Sequence, residues 1–296
     1  MYSSMKYTIT GYSTAMFSTW YFIEELGLLF DAGDGITSGL LQKARKINYV
    51  CLSHADRDHL TGLLQFNQLN ARVGYPKIYY PKDCGSIAAL ADFTRQFDPH
   101  ALESEWIPVR ENEEISIGTS IHVVPIRNGH VPAADGIAKS LSYKIMQTKR
   151  KLKNEFRSYS QAELMKVVEI HGKDSITVPV ETPVIAYSGD TPVESYDRWD
   201  NSNILIHEAT FLGGEDNVIE SPHQHKHSTL YEVLAMVSEI TVSTLILGHF
   251  SARYSEQEID DKIRYYCEKL RIKIPVYRVS PGKTYGDILG QDPVNS

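Results

Sequence analysis

Cysteine is scarce: three residues in 296, at positions 51, 84 and 267, too few and too far apart for a disulfide framework. No Cys-x-x-Cys pair marks a structural zinc site, so the three read as reduced thiols of a cytoplasmic protein. Long hydrophobic runs are missing too, none approaching the ~18 residues of a membrane span. No apolar segment follows the opening Met1 to Tyr7 to suggest a secretory leader. There is no Gly/Ser linker, low-complexity tract or short-period repeat. Net positive charge is absent: 30 Lys and Arg stand against 37 Asp and Glu, a formal charge of −7. That is not the footprint of a protein that coats nucleic acid indiscriminately. What remains is ordinary for a chain that buries a core, 42% hydrophobic and 23% charged. One window departs from the charge balance: residues 144–157 carry six Lys or Arg against one Glu. By composition alone it is a solvated face.

Strand-like apolar runs alternate with helical periodicity along the whole length. Lys6–Thr10, Trp20–Ile23 and Leu26–Asp31 read as an opening strand meander. Helix follows over Ile36–Lys46, a buried strand over Asn48–Ser53, then helix over Leu60–Leu69. The order repeats with strand at Lys77–Tyr80, helix at Ser86–Phe97, and strands at Ser120–Ile126 and Ser140–Met146. In the second half, Pro183–Ser188, Asn203–His207, Thr244–Leu247 and Ile274–Tyr277 read as strands, and Thr229–Ile240 and Glu256–Leu270 as helices. This pattern implies an α/β or α+β chain with two sheets face to face and helices outside, a single domain over residues 1–296.

Four of these strands end in a residue able to bind metal: His54, His130, Asp190 and His249. Strand-end loops on a rigid scaffold are where sites are built. The first is the densest, since His54-Ala-Asp56-Arg-Asp58-His59 holds four potential ligands in six residues. Imidazole with carboxylate suits Zn²⁺, Mn²⁺ or Fe²⁺. Alternation along an extended turn lets His54 and Asp56 serve one ion while Asp58 and His59 serve a second. The plainer reading, acidic residues at a helix start favoured by its dipole, does not account for three further ligand types at strand ends.

Ser53-His54-Ala-Asp56-Arg-Asp58-His59-Leu-Thr-Gly62 resembles the Ser-His-x-His-x-Asp-His-x-x-Gly signature of the metallo-β-lactamase superfamily. Tyr187 to Thr191, Ile206 to Phe211, His227 to Thr229 and Gly248 to Tyr254 look like the successive motifs of ribonuclease Z, the tRNA 3′-end endonuclease. The likeness is to its short plant-type form, where a stretch similar to Lys149-Arg-Lys-Leu-Lys-Asn-Glu-Phe156 precedes the Gly-Asp-Thr motif. The motifs arrive in family order over roughly residues 6–280. The resemblance implies a four-layer αβ/βα sandwich, two mixed β-sheets flanked by helices, commonly in a homodimer. It assigns His54 and His130 to one metal, His59 and His249 to the other, and Asp190 as the bridge. Asp58 sits at the second metal, where it positions or deprotonates the attacking water. Glu208 and His227 match the family's carboxylate–histidine pair, whose imidazole protonates the leaving oxygen. His225, in the alternating run His223, His225, His227, is the fallback for that role.

Asp56 is a departure, because the family has His there. A hard carboxylate moves the preference toward Mn²⁺ or Fe²⁺ relative to Zn²⁺, with two divalent ions expected and one as the alternative. Ser251 and Arg253 follow ligand His249; they contact a substrate phosphate, or Arg253 forms a buried salt bridge. Asp31 buttresses the site through hydrogen bonds. His100, His122 and His171 are surface or packing residues, and His207 is structural. In the family an arm that grips tRNA is inserted where this chain has 147–182, so Lys149, Arg150, Lys151 and Lys153 become candidate substrate contacts. The expected activity is endonucleolytic cleavage of RNA, as in tRNA 3′ processing. A cyclic-nucleotide phosphodiesterase needs no basic arm and suits the −7 charge, and a catalytically silent RNA-binding or scaffold protein is the third reading. A β-lactamase or thioesterase has no use for the Glu208–His227 pair.

Overall fold

The computed structural model describes residues 6–97, 103–213 and 226–296. Two mixed sheets form its centre. The first contains β1 (Ile9–Thr14), β2 (Ser18–Ile23), β3 (Leu28–Phe30), β4 (Tyr49–Cys51), β5 (Lys77–Pro81) and β6 (Glu105–Val109), side by side in chain order. The second contains β7 (Ile115–Ser116), β8 (Ile121–Arg127), β9 (Leu141–Leu152), β10 (Thr177–Tyr187), β11 (Ser202–Glu208), β12 (Val242–Gly248) and β13 (Val276–Arg278), also in chain order. Each sheet starts antiparallel and turns parallel, from β3 onward in the first and from β10 onward in the second, with helices in most of the parallel crossovers. In the first sheet those helices are α1 (Ile36–Leu40), α2 (Leu63–Asn70) and α3 (Gly85–Phe97). The second sheet uses α6 (Leu230–Glu239) and α7 (Glu256–Lys269).

The alternation within β2 shows how the layers arise. Tyr21 and Ile23 join the core between the sheets, whereas Trp20 and Phe22 point the other way, into the core under α1 to α3. Phe30 and Tyr187 stack across the inter-sheet core with centroids 4.8 Å apart. Outside the second sheet, Val233, Leu234 and Ile263 of α6 and α7 cover Leu205 and Leu247. Two helical layers around two sheets make the four-layer αβ/βα sandwich, as expected. Among the described residues no helix is long and apolar enough to cross a membrane, and all three cysteines are free and buried.

Some elements differ from the sequence reading. The helix expected over Ile36–Lys46 stops at Leu40, because Leu41 turns left-handed (φ 48°), and a 3-10 segment continues to Lys46. The strand expected over Ser140–Met146 runs on to Leu152, pairing antiparallel with β10 from Tyr143↔Tyr187 out to Leu152↔Thr177. Between these strands lie α4 (Gln161–His171) and the single turn α5 (Lys173–Ile176). The basic window is therefore one strand of an extended hairpin. Its helix α4 is closed by a Ser160–Glu163 capping box and has no buried residue.

β8, β10, β11 and β12 run in one direction, so their C-terminal ends share an edge, and the loop after β4 meets them there. That edge is where the candidate ligands gather.

Candidate metal centre

Two triads form at this edge. His54 Nε2 and His130 Nε2 lie 3.5 Å and 3.3 Å from Asp56 Oδ2. His59 Nε2 and His249 Nε2 lie 3.7 Å and 3.4 Å from Asp58 Oδ2. Asp190 stands between the triads: its Oδ2 is 3.8 Å from His54 Nε2 and 3.3 Å from each of His59 Nε2 and His249 Nε2. The seven residues singled out as ligands thus converge, grouped as the alternation of the turn predicts, and His54, His59, His130, Asp190 and His249 are buried.

The far side of each imidazole decides what its near side can do. His59 Nδ1–H donates to Asp31 Oδ2 (2.7 Å) and His130 Nδ1–H to the Lys226 carbonyl (3.0 Å). His54 Nδ1–H donates to Ser53 Oγ (2.8 Å), whose hydroxyl donates on to Asp31 (2.8 Å). His249 Nδ1–H donates to Thr210 Oγ1 (2.8 Å), whose hydroxyl donates to Glu208 Oε2 (2.5 Å). All four rings therefore turn Nε2 to the centre, where it is the atom available to a cation. Buried His54 Nε2 and His59 Nε2 have no hydrogen-bond partner. A buried nitrogen left unpaired costs about 1–3 kcal/mol, and a metal ion at that point removes the cost. The donor set fits two divalent cations, with outer hydrogen bonds of the kind that orient metal-binding histidines.

Electrostatics agree. Burial, then the neighbouring His59, pushes the His54 pKa down and keeps that ring neutral. Burial acts to raise Asp190, but His249 and His59 outweigh it and hold the carboxyl well below the usual range. The neighbouring imidazoles of His130 and His54 hold Asp56 well below its ordinary value. Burial would lower His59, yet Asp190 and Asp31 raise it well above an ordinary histidine. Without metal, the site therefore gathers protons that a cation would displace, making metal affinity fall as pH falls.

A fifth imidazole differs. His227 donates Nδ1–H to Glu208 Oε1 at 3.0 Å, and Glu208 is itself anchored by the Thr191 N–H at 2.7 Å. Burial opposes protonation of His227, but Glu208 and Asp190 raise its pKa to about 9. His227 also falls within metal-binding reach of His130 and Asp190, and of Glu208 and His249. Its Nδ1 is committed to the carboxylate, leaving Nε2 as a donor to a ligand.

Backbone geometry is unusual at three site residues, since Met16, Asp31 and His249 are all left-handed, with φ of 69°, 52° and 59°. Such strain costs about 1–3 kcal/mol each and collects at functional sites. Met16 uses the conformation to donate its N–H to Asp58 Oδ2 at 3.0 Å. Beside His249, a Cβ on Gly248 would lie 1.9 Å from the Tyr21 hydroxyl oxygen, so that approach requires glycine.

Ser251 and Arg253 line the same cavity as the ligands. The buried salt bridge proposed as an alternative for Arg253 is not found: the side chain is exposed and its Nε–H donates to Ser251 Oγ at 3.0 Å. Of the four basic residues singled out, Lys149, Arg150 and Lys151 lie on the outer end of β9 and Lys153 just beyond it. Arg150 pairs with Asp174 (2.8 Å) and Lys153 donates to the Ser175 carbonyl (2.6 Å), so both tie the hairpin together. Lys149 and Lys151 have no such partner among the described residues. His207 donates Nδ1–H to the Glu208 carbonyl and packs edge-on to Trp199, a structural place. His122 is 3.8 Å from Glu181, and His171 ends α4. His100, His223 and His225 lie outside the described residues. Reading the sequence missed Thr210 and Met16. Thr210 sits inside the Ile206 to Phe211 motif, where a hydroxyl two residues past Glu208 was a usable signal; a main-chain donor such as Met16 leaves none.

The fold and the paired ligand sets define a metal-dependent hydrolase, and residues 28–153 match the β-lactamase superfamily domain. Among its sequence relatives are proteins named ribonuclease Z and tRNase Z. tRNase Z TRZ1 of Arabidopsis thaliana is 26% identical over 266 residues, covering 87% of this chain and 90% of the relative. Among solved structures, the metallo-β-lactamase fold protein YhfI of Bacillus subtilis superposes with a TM-score of 0.62 at 16% identity, over 95% of this chain and all of that one. The short form of human tRNase Z gives 0.55 at 17% identity, over 95% and 98%. The resemblance drawn from the motifs is borne out.

Proposed function

We propose that the protein is a metal-dependent phosphodiesterase that cleaves RNA endonucleolytically, with the 3′ end of precursor tRNA as its substrate. The observation that carries this reading is the set of four imidazoles with Nδ1 engaged and Nε2 convergent, beside a fifth held by a carboxylate for proton transfer. The kinship with proteins named tRNase Z supplies the substrate class. Two divalent cations, held by His54, Asp56 and His130 and by Asp58, His59 and His249 with Asp190 between, would supply acidity to a water and positive charge to the phosphate.

The chain's own residues do the rest. Asp58, fixed by the Met16 N–H, orients the attacking water and takes its proton. His227 gives a proton to the departing ribose oxygen, with Glu208 holding its ring and supporting its charge. The protein acts in the cytoplasm, as a homodimer, under this reading.

Asp56 places a hard oxygen in the first triad, so Mn²⁺ is expected to support activity at least as well as Zn²⁺. Asp56→His should return the preference to Zn²⁺, read from activity and bound metal after titration of the metal-free protein. Two tightly held zinc ions in the parent, with no response to Mn²⁺, would contradict this.

On β9, Lys149 and Lys151 have no ion-pair partner among the described residues and are free to meet RNA. Replacing both with Gln should raise KM for precursor tRNA severalfold and flatten its dependence on salt, as lost phosphate contacts do. A small phosphodiester should be hydrolysed as before. Equal losses on both substrates would make the hairpin a structural element, and no action on tRNA by the parent protein would favour a cyclic-nucleotide substrate.

A further inference from the structure

The metal centre opens into a cavity of about 960 Å³. That is the upper end of the range for pockets that enclose a whole small molecule, ~300–1,000 Å³, and far more than one phosphodiester group fills. Carboxylates and imidazoles account for one side. The other side is aromatic and cationic: Phe211, Arg253, Tyr254, Lys262 and Tyr265. We propose that this side is a nucleobase subsite, where a base of the substrate stacks while its phosphate lies at the metals. The proposal deepens the phosphodiesterase reading and rests on it.

The two sides are continuous. His227 and His249 lie nearly parallel with centroids 5.5 Å apart, and Phe211 meets His227 edge-on at 6.4 Å. The Arg253 guanidinium is 5.7 Å from the Phe211 centroid and 5.7 Å from that of Tyr254. Further along, Lys262 Nζ is 5.8 Å from the Tyr265 ring. A substrate that reaches the proton donor therefore has this wall beside it.

Charge also selects the ligand. The two acids of the wall are engaged within the chain: Glu258 accepts from the Ser255 N–H and hydroxyl, and Asp261 from Gln257 and Arg264. Arg253 and Lys262 have no carboxylate partner among the described residues. Tyr265 is 54% exposed, a large ring uncovered on a cavity wall. Flat rings with adjacent cations favour a flat, electron-rich ligand with an anionic tail, the chemistry of a nucleotide. A sugar phosphate shares the tail and lacks the flat face.

The test compares adenosine 5′-monophosphate, ribose 5-phosphate and inorganic phosphate as ligands of the full chain loaded with Mn²⁺, by titration calorimetry. Stacking on an aromatic side chain should make adenosine monophosphate bind about tenfold tighter than ribose 5-phosphate. Tyr265→Ala should erase most of that ratio and Tyr265→Phe should keep it, while inorganic phosphate binds all three proteins alike. Equal binding of the nucleotide and the sugar phosphate by the parent overturns the subsite, whatever inorganic phosphate does. So does a Tyr265→Ala protein that loses all three ligands together, which makes the ring structural. A Tyr265-dependent preference for the nucleotide without any binding of inorganic phosphate would uphold the subsite and count against the phosphodiesterase reading instead.

Discussion

His227→Ala is expected to lower the rate of RNA cleavage by ~10²–10⁴-fold, the usual contribution of a positioned general acid. A ribose alkoxide is a poor leaving group and needs the proton, whereas p-nitrophenolate is stable near neutrality and hardly does. Hydrolysis of bis-p-nitrophenyl phosphate should therefore survive largely intact in the same variant. Glu208→Gln should fall between parent and His227→Ala on RNA, because it weakens the charge behind the ring without removing the ring. The pH profile supplies a second check. Against the effect of burial, Glu208 and Asp190 raise the His227 pKa to about 9, so the acid form prevails below that pH and is lost above it. Bound cations repel the proton and lower this value. The rate on RNA should accordingly fall as pH rises toward about 9, with no matching fall for the p-nitrophenyl ester. A His227→Ala protein that slows both substrates equally, or that binds less metal, would make His227 a ligand or a structural residue.

His59→Ala is expected to abolish both activities. It removes one of the unpaired Nε2 atoms at the centre and leaves Asp31 with only Ser53 and Tyr187 as buried partners. The loss should appear without any substrate. Ligand that binds only the folded state stabilises it by about 2.7 kcal/mol at a hundredfold excess over Kd. Mn²⁺ or Zn²⁺ should thus raise the melting temperature of the parent protein and leave that of His59→Ala nearly where it was. An equal rise in both would mean that the cation binds elsewhere.

The candidate ligands His54, His130, Asp190 and His249 were legible because each follows an apolar strand, where a histidine or aspartate has no reason to be buried unless it is paired. The helices α6 and α7 were legible from period and from Thr229 and Ser255, each closing a capping box with the Glu three residues on. The outer half of β9 was not. Thr148 to Lys151 is polar on both faces because it extends past the sandwich, so the alternation that marks a half-buried strand is missing. Strand β6 hid behind Pro108, which an edge strand tolerates and an interior one does not. Helix α4 carried a readable Ser160–Glu163 box, yet its apolar Leu164, Val167 and Val168 are only partly covered and none of its residues is buried. The linkage of Asp31 to His59 directly and to His54 through Ser53 depends on contacts between elements, and only its existence, not its reach, could be foreseen from the Asp-Ala-Gly turn.

The most direct test of the account is cleavage of a precursor tRNA carrying a 3′ trailer, by protein stripped with a chelator and then reloaded with Mn²⁺ or Zn²⁺. The stripped protein should not cleave, and addition of metal should restore endonucleolytic release of an intact trailer. Cleavage that persists in the chelator, or a reloaded protein that leaves the trailer attached while hydrolysing other phosphodiesters, would contradict it.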